Sequence, residues 1–270
     1  MNYQHIYHAG NFADVVKHLS LIAVLQYYKK KPNPMVYIDT HAGQWTYDFA
    51  QDEAQRTQEF KEGIQALQAK PHPLLAQYLE LVSQVGPGHY PGSVWFAHAV
   101  LEATDKCIAC EYVPEVAARL KHQTQGFKNI AVHHRNGYEA LLALTPPKPN
   151  RGVILIDPPF EAKDEFATLH NTIKAATTKF PQGCYIVWYP MKDFKALGYI
   201  RTLAQLPIPQ LNIECYLTQD TLSEKLRACG IWIGNPPWQL EKTLLPQLQA
   251  AMELMAPGSG SVTCQVKTES

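Results

Sequence analysis

The sequence predicts an α/β fold, a doubly wound and mainly parallel sheet that carries a small helical insertion. Three observations point there. Short apolar runs such as Met35–Ile38, Cys107–Cys110 and Gly152–Ile156 alternate with stretches of helical periodicity. Each run ends on polar or glycine residues, as strands do where a ligand crosses their carboxyl ends. Between residues 47 and 88 the composition shifts to Gln, Glu, Ala and Leu, and the alternation stops. A chain of 270 residues, 46% hydrophobic, suits one large domain with an insertion. The expected division is therefore 1–46 with 89–270 for the domain, and 47–88 for the inserted helices.

The elements follow in order. Asn11 and Asp14 resemble a capping box, and Val15, Val16, Leu19, Ile22 and Ala23 recur at helical spacing. That helix should stop near Tyr28, ahead of Pro32 and Pro34. Met35–Ile38 is then a buried strand feeding Asp39-Thr-His-Ala-Gly43, and 47–88 holds two or three helices broken at Pro71-His-Pro73. A helix opens at Tyr90-Pro-Gly-Ser93 and runs to about Ala103; the strand 106–110 ends at Glu111. Helix 114–123, strand 130–133, a helix to about Leu144 and strand 152–156 come next. Helix 163–179, strand 184–189, helix 193–204 and two late strands, 212–217 and 230–233 around a polar loop, complete the pattern.

Charge excludes one class of function. Twenty-four Lys and Arg balance twenty-four Asp and Glu, so the chain cannot coat nucleic acid by bulk charge. Residues 1–38 are uneven, with Lys17, Lys29, Lys30 and Lys31 against Asp14 alone, plus His5, His8 and His18. This is the local candidate for an anion contact. Of six cysteines only Cys107 and Cys110 are close, and no second pair completes a zinc site; buried thiols in a reducing compartment are expected. The three N-terminal histidines lack the ligands of a metal set, so no metal is expected. No apolar run reaches the roughly 18–20 residues of a membrane span, which predicts a soluble, cytoplasmic protein.

The chemistry sits at the strand ends. Gly43 permits close backbone approach, and Asp39 and His41 offer polar groups to the amino-acid end of a cofactor. Glu111 can accept from both hydroxyls of a ribose, although it lies 68 residues beyond Gly43 where about 20 is usual. Asp157-Pro-Pro-Phe160 is the most informative. An exocyclic adenine amine is a weak nucleophile because its lone pair is delocalised into the ring. A carboxylate and a backbone carbonyl that accept its two N–H bonds localise that pair. The prolines donate no N–H and leave the Pro158 carbonyl free. Phe160 can stack on an extruded base, worth about 1–3 kcal/mol. A similar run, Asn235-Pro-Pro-Trp238, follows the last strand; it is expected to lie away from the site, with a structural role for Trp238.

Six ordered motifs then resemble one family. They are Tyr3-x-His5-x-x-His8-Ala-Gly-Asn11-x-Ala-Asp14-Val-x-Lys17-His18, Asp39-Thr-His-Ala-Gly43, Tyr90-Pro-Gly-Ser93, Asp157-Pro-Pro-Phe160, Trp188-Tyr-Pro190 and Asn235-Pro-Pro-Trp238. The chain is similar to the bacterial 23S ribosomal RNA adenine-N6 methyltransferase J family over essentially its whole length. The resemblance implies a Rossmann-like class I methyltransferase domain that uses S-adenosylmethionine and no metal, with adenine 2030 as target. It implies Asp157 as catalytic acceptor, with His18, His41, Ser93, Glu111, Asn136, Gly137 and Asp157 at the cofactor. Tyr3, His5 and Lys17, with Phe160 for stacking, would handle substrate. One departure is Asn136-Gly137, where the family favours Asp-Gly; the Asn oxygen is still expected to accept from the cofactor's adenine amine. The expected substrate is protein-free 23S RNA or an early assembly intermediate, gripped near Tyr3, His5, Lys17 and Lys29–Lys31 by a monomer. The alternatives are a DNA adenine-N6 methyltransferase, or a nucleic-acid-binding module that keeps the cofactor fold without turnover.

Overall fold

The first helix is buried almost all round, because a sheet lies beneath it and other helices cover it. A computed structural model of the protein describes residues 4–191, 194–218 and 226–268. A 3-10 turn at His5–Tyr7 leads into α1 (Phe12–Lys29). Asn11 caps α1 by accepting from the Asp14 amide at 2.9 Å. The Asp14 carboxylate reaches back to the Gly10 amide, one residue earlier than a reciprocal box requires. The chain continues through β1 (Val36–Asp39), β2 (Thr46–Asp48), α2 (Asp52–Thr57), α3 (Glu59–Glu62), α4 (Ile64–Ala69), a 3-10 turn and α5 (Ala76–Ser83). Then come β3 (His89–Pro91), α6 (Ser93–Val100), β4 (Lys106–Glu111), α7 (Pro114–Gln123), β5 (Ile130–His134), α8 (Gly137–Leu144) and β6 (Gly152–Ile156). The last part is α9 (Glu165–Lys179), β7 (Cys184–Pro190), α10 (Phe194–Leu203), β8 (Gln210–Tyr216), β9 (Ala228–Gly234), α11 (Leu240–Met255) and β10 (Ser261–Lys267).

Among the described residues the main sheet has eight strands in the order β10-β8-β9-β7-β6-β1-β4-β5. From β7 to β5 every pairing is parallel; β7·β9, β8·β9 and β8·β10 are antiparallel. This is a Rossmann-like doubly wound sheet with an antiparallel flank. After β5 the chain returns to the other side of β1 to form β6, so strand order reverses between β1 and β6. Ligands bind at the carboxyl ends of such a switch point, and Asp39 and Asp157 stand there side by side: Asp39 is paired with Leu155, two residues before Asp157.

Side chains alternate across the sheet. Tyr37, Val153 and Leu155 join one core with α1, α6 and α11, while Val36, Ile38, Ile154 and Ile156 join the other with α9. Cys107 and Cys110 are three apart on β4 and so face opposite sides; both are free and buried. Burial raises the Cys110 thiol to about 12. Among the described residues no helix is long and apolar enough to cross a membrane.

Several expectations are corrected. Residues 47–88 hold four short α-helices, bracketed by the ribbon β2·β3. Helix α6 ends at Val100, three residues before Ala103. Helix α11 and strand β10 were not anticipated, so Asn235 does not follow the last strand. Its distance from Asp157 has another cause. Strand β9 runs antiparallel to β7 and its end pairs with Tyr185, at the amino end of β7, so Asn235 lies beyond the amino ends of the parallel strands, opposite to Asp157. Trp238 is 74% exposed and fills no core.

Candidate active site

Helix α1 carries three ionisable residues into the interior, and each needs a partner to be tolerated there. Lys17 Nζ lies 2.8 Å from Asp14 Oδ1 and 2.6 Å from Asp157 Oδ2. Asp14 Oδ2 in turn meets His5 Nε2 at 2.9 Å. Burial opposes the Lys17 charge, but Asp14 and Asp157 outweigh it and hold the ammonium well above its usual value. Burial likewise opposes ionisation of Asp14; His5 and Lys17 prevail and hold that carboxyl well below the ordinary range. Both groups are therefore ionised across neutral pH. His18 Nδ1 bonds the Tyr90 hydroxyl at 2.7 Å, and burial keeps this imidazole neutral. His5, His8 and His18 thus face Asp14, Glu59 and Tyr90, three different partners.

The loop after β1 is built on Asp39. Its carboxylate accepts from Tyr37 at 2.7 Å and Ser93 at 2.6 Å through one oxygen, and from the His41 amide at 3.2 Å through the other. Burial raises it to about 6 despite those bonds. Burial also lowers His41 to about 4, so that ring is neutral at pH 7. Gly43 takes φ +64, a region glycine enters freely. Its amide donates to Glu111 Oε2 at 2.9 Å, and Val113 donates to Oε1 at 2.8 Å. Each Glu111 oxygen keeps a second acceptor direction.

Two cavities meet at Asp157. The first, about 440 Å³, is lined by Lys17, His18, His41, Gly43, Ser93, Glu111 and Asp157 among others. That volume lies within the range of small-molecule sites. The second, about 330 Å³, is lined by His5, Asn11, Lys17, Glu59, Pro158, Phe160 and Trp188 as well as Asp157. Phe160 has φ +54, and its ring packs 4.6 Å from Phe166 and 5.8 Å from Trp188. Among the described residues only His5, Lys17, Asp157 and Pro159 line both. A small molecule in the first cavity and a flat ring in the second would therefore approach each other at that carboxylate.

Not every anticipated residue converges. Asn136 caps α8, its oxygen accepting from Tyr138 at 2.9 Å and Glu139 at 3.2 Å, so that oxygen is already engaged as a helix cap. Neither Asn136 nor Gly137 lines the first cavity. Gly137 instead lets α8 press on the β1 loop, since a Cβ there would stand 2.2 Å from Thr40 O. Tyr3 lies outside the described residues. Lys29–Lys31 are at the wrong end: Lys29 pairs at 2.8 Å with Asp105, just before β4, while Asp157 follows the carboxyl end of β6. Two site residues escaped the sequence reading. Asp14 reads in sequence as a helix cap and a member of the N-terminal polar run, with no site role, although its i,i+3 spacing to Lys17 signals a pair. Glu59 comes from α3, and no local pattern announces that it reaches His8 and Asn11.

The chain is 33% identical to the ribosomal RNA large subunit methyltransferase J of Haemophilus influenzae, covering 98% of both chains. It is 32% identical to the protein of that name from Escherichia coli, covering 97% of both. A crystal structure of a Legionella pneumophila protein superposes with TM-score 0.90 at 32% identity, covering 97% of this chain and 99% of that one. The fold, its strand-end residues and a match over residues 11–268 to the model described as ribosomal RNA large subunit methyltransferase D, RlmJ, place the chain in that family.

Proposed function

We propose that the protein transfers a methyl group from S-adenosylmethionine to the N6 amine of adenine 2030 in 23S ribosomal RNA. The observation that carries this reading is the Asp157 carboxylate at the junction of the two cavities. The residues of the first cavity fit the cofactor: Glu111 suits its ribose diol, and His41 and Ser93, the latter held from behind by buried Asp39, cluster where its amino-acid end would lie. When bound, that group supplies an electrophilic methyl.

The protein's own residues do the rest. Lys17 fixes Asp157 through Oδ2, which leaves Oδ1 and the Pro158 carbonyl to accept the two N–H bonds of the amine. Phe160 and Trp188 wall the second cavity and would hold the adenine ring. Orientation of this kind accounts for about 7–11 kcal/mol of a barrier, and the fixed carboxylate stabilises charge developing on nitrogen. The amine of a base-paired adenine is hidden, so the base must be unstacked before it enters. Zero net charge favours a short hairpin or loop of protein-free RNA over a long duplex.

The test is competition between an RNA hairpin carrying the target adenine and a DNA hairpin of the same sequence, with labelled methyl donor. Faster transfer to RNA, mapped to N6 of that adenine and reduced about 10²-fold or more by Asp157→Ala, is expected. Equal or faster transfer to DNA would promote the DNA methyltransferase; no transfer at all would favour a binding module.

A further inference from the structure

Two acid-free stretches of the sequence hold four Lys or Arg each. They are 15–38, with Lys17, Lys29, Lys30 and Lys31, and 116–138, with Arg119, Lys121, Lys128 and Arg135. The first does not serve the site, since its exposed Lys30 and Lys31 stand at the end of α1 away from Asp157 and the other two are paired. Lys17 is buried between two carboxylates, Lys29 is paired with Glu102 and Asp105, and Lys30 lies 5.1 Å over the Tyr27 ring at the edge away from Asp157. The helical stretch 47–88 is no substitute. Its six acids (Asp48, Asp52, Glu53, Glu59, Glu62, Glu80) against Arg56, Lys61 and Lys70 give a net charge of −3.

The second stretch is different. It forms most of α7 and all of β5, the terminal strand of the sheet, and packs through Leu120 beneath. Arg119, Lys121, Lys128 and Arg135 are exposed, as are His122, His133 and His134. Among the described residues none of these seven forms an ion pair. The face also reaches the site. Arg119 lines the first cavity and donates to Gln44 Oε1 at 3.3 Å. Beside it Trp45 stacks on Phe127 at 5.4 Å, and Tyr112 is 54% exposed at the cavity mouth. Unpaired cations spread along one edge, with aromatic rings at their inner end, match a polyanionic backbone.

We propose that the face formed by α7 and β5 binds the sugar-phosphate backbone of the RNA substrate, outside the segment that enters the second cavity. The proposal rests on the RNA reading above. A neutral protein thus carries four exposed cations along one edge, against Glu115 alone on α7 and β5, where a long substrate would pass. Contacts of this kind position a nucleic acid and add affinity without reading its sequence.

The test uses the full chain carrying Lys121→Glu and Lys128→Glu together, with the Lys→Arg pair as control. Methyl transfer is measured on a full-length 23S transcript and on a minimal hairpin, over a range of salt. KM for the long RNA should rise roughly tenfold, and the slope of log affinity against log salt should fall by about two, one for each lost contact. The Lys→Arg control, kcat, cofactor binding by calorimetry and KM for the minimal hairpin should be unchanged. A long-RNA KM and salt slope equal to those of the unsubstituted protein would overturn the proposal. Failure of the RNA reading itself would look different, because the unsubstituted protein would then transfer nothing to either RNA, or no faster than to the DNA hairpin of the same sequence.

Discussion

Lys17 Nζ sits 2.6 Å from Asp157 Oδ2 and joins the first helix to the end of β6 across 140 residues of sequence. The side chains are 7% and 15% exposed, so this contact is far from a solvated surface pair. Removing one partner of such a pair strands the other charge and costs about 3–5 kcal/mol. Lys17→Met should therefore unfold at clearly lower urea and lose most methyl transfer; an unchanged urea midpoint would sink this account. The raised Lys17 value contributes stability that is complete below the unfolded value near ~10.4 and lost as pH rises through the folded one. Asp14 is depressed, so its share is present above ~3.9 and lost as pH falls through its folded value. Between those limits the Lys17→Met deficit should be nearly flat.

Ser93→Ala tests the buried carboxylate beside the first cavity. Burial raises Asp39 to about 6, and the Ser93 hydroxyl opposes that rise. A raised carboxyl contributes stability that is full below ~3.9 and lost as pH rises through about 6. Without Ser93 the folded value climbs further and the loss grows. The melting difference between the two proteins should be small at acid pH and widen towards neutrality, to about 1.5–3 kcal/mol for a bond to a charged group. A difference that is constant with pH would show that Asp39 is not the partner that matters.

Asn235→Ala should act on stability alone. The Asn235 amide donates to Pro181 O at 2.6 Å and Gly183 O at 2.7 Å from a residue with φ +52. Losing both bonds, at a left-handed position where alanine is strained, should cost about 1–3 kcal/mol. Cofactor affinity and kcat of the folded variant should match the unsubstituted protein. A selective loss of kcat would instead bring the second Pro-Pro run back as a catalytic candidate.

Glu59→Ala should loosen the N-terminal loop. Glu59 Oε2 receives His8 Nδ1 at 3.0 Å and Asn11 Nδ2 at 2.9 Å, and Ile64 N donates to Gly10 O at 2.8 Å nearby. Two lost bonds at about 0.5–1.5 kcal/mol each predict a fall of roughly tenfold in kcat/KM for RNA. Cofactor binding should hold, because Glu59 lines only the second cavity. Equal losses for RNA and cofactor would mean a general structural defect.

The parts of the fold that were legible have strong local signals. Asn11 and Asp14 mark the start of α1, and the apolar Gly152–Ile156 run followed by Asp157-Pro-Pro marks a buried strand and its end. Helix α11 was missed because Pro246 interrupts its pattern, and β10 because a half-exposed edge strand alternates weakly. Within the site, Asp157, Lys17 and His41 could be chosen from type and position, since a strand end or a helix start fixes where each side chain must be. Glu59 could not, because its partners lie 48 and 51 residues away. Lys29–Lys31 misled for a related reason: nearness in sequence to Lys17 became the length of a helix, about 1.5 Å per residue, in space.

The bond between Lys17 and Asp157 also sets a clock. A ribosome adds about 5–20 residues per second, so Lys17 leaves the peptidyl-transferase centre on the order of ten seconds before Asp157 is made. Strand β1 meets the same delay, for its neighbour β6 is translated after β4 and β5. Long-range pairing of this kind slows folding, because chain closure precedes its reward. Until β6 emerges, Lys17 has Asp14 as its built-in counter-charge, and neither cavity that Asp157 lines can be complete. Activity is gained only when synthesis has passed the middle of the chain.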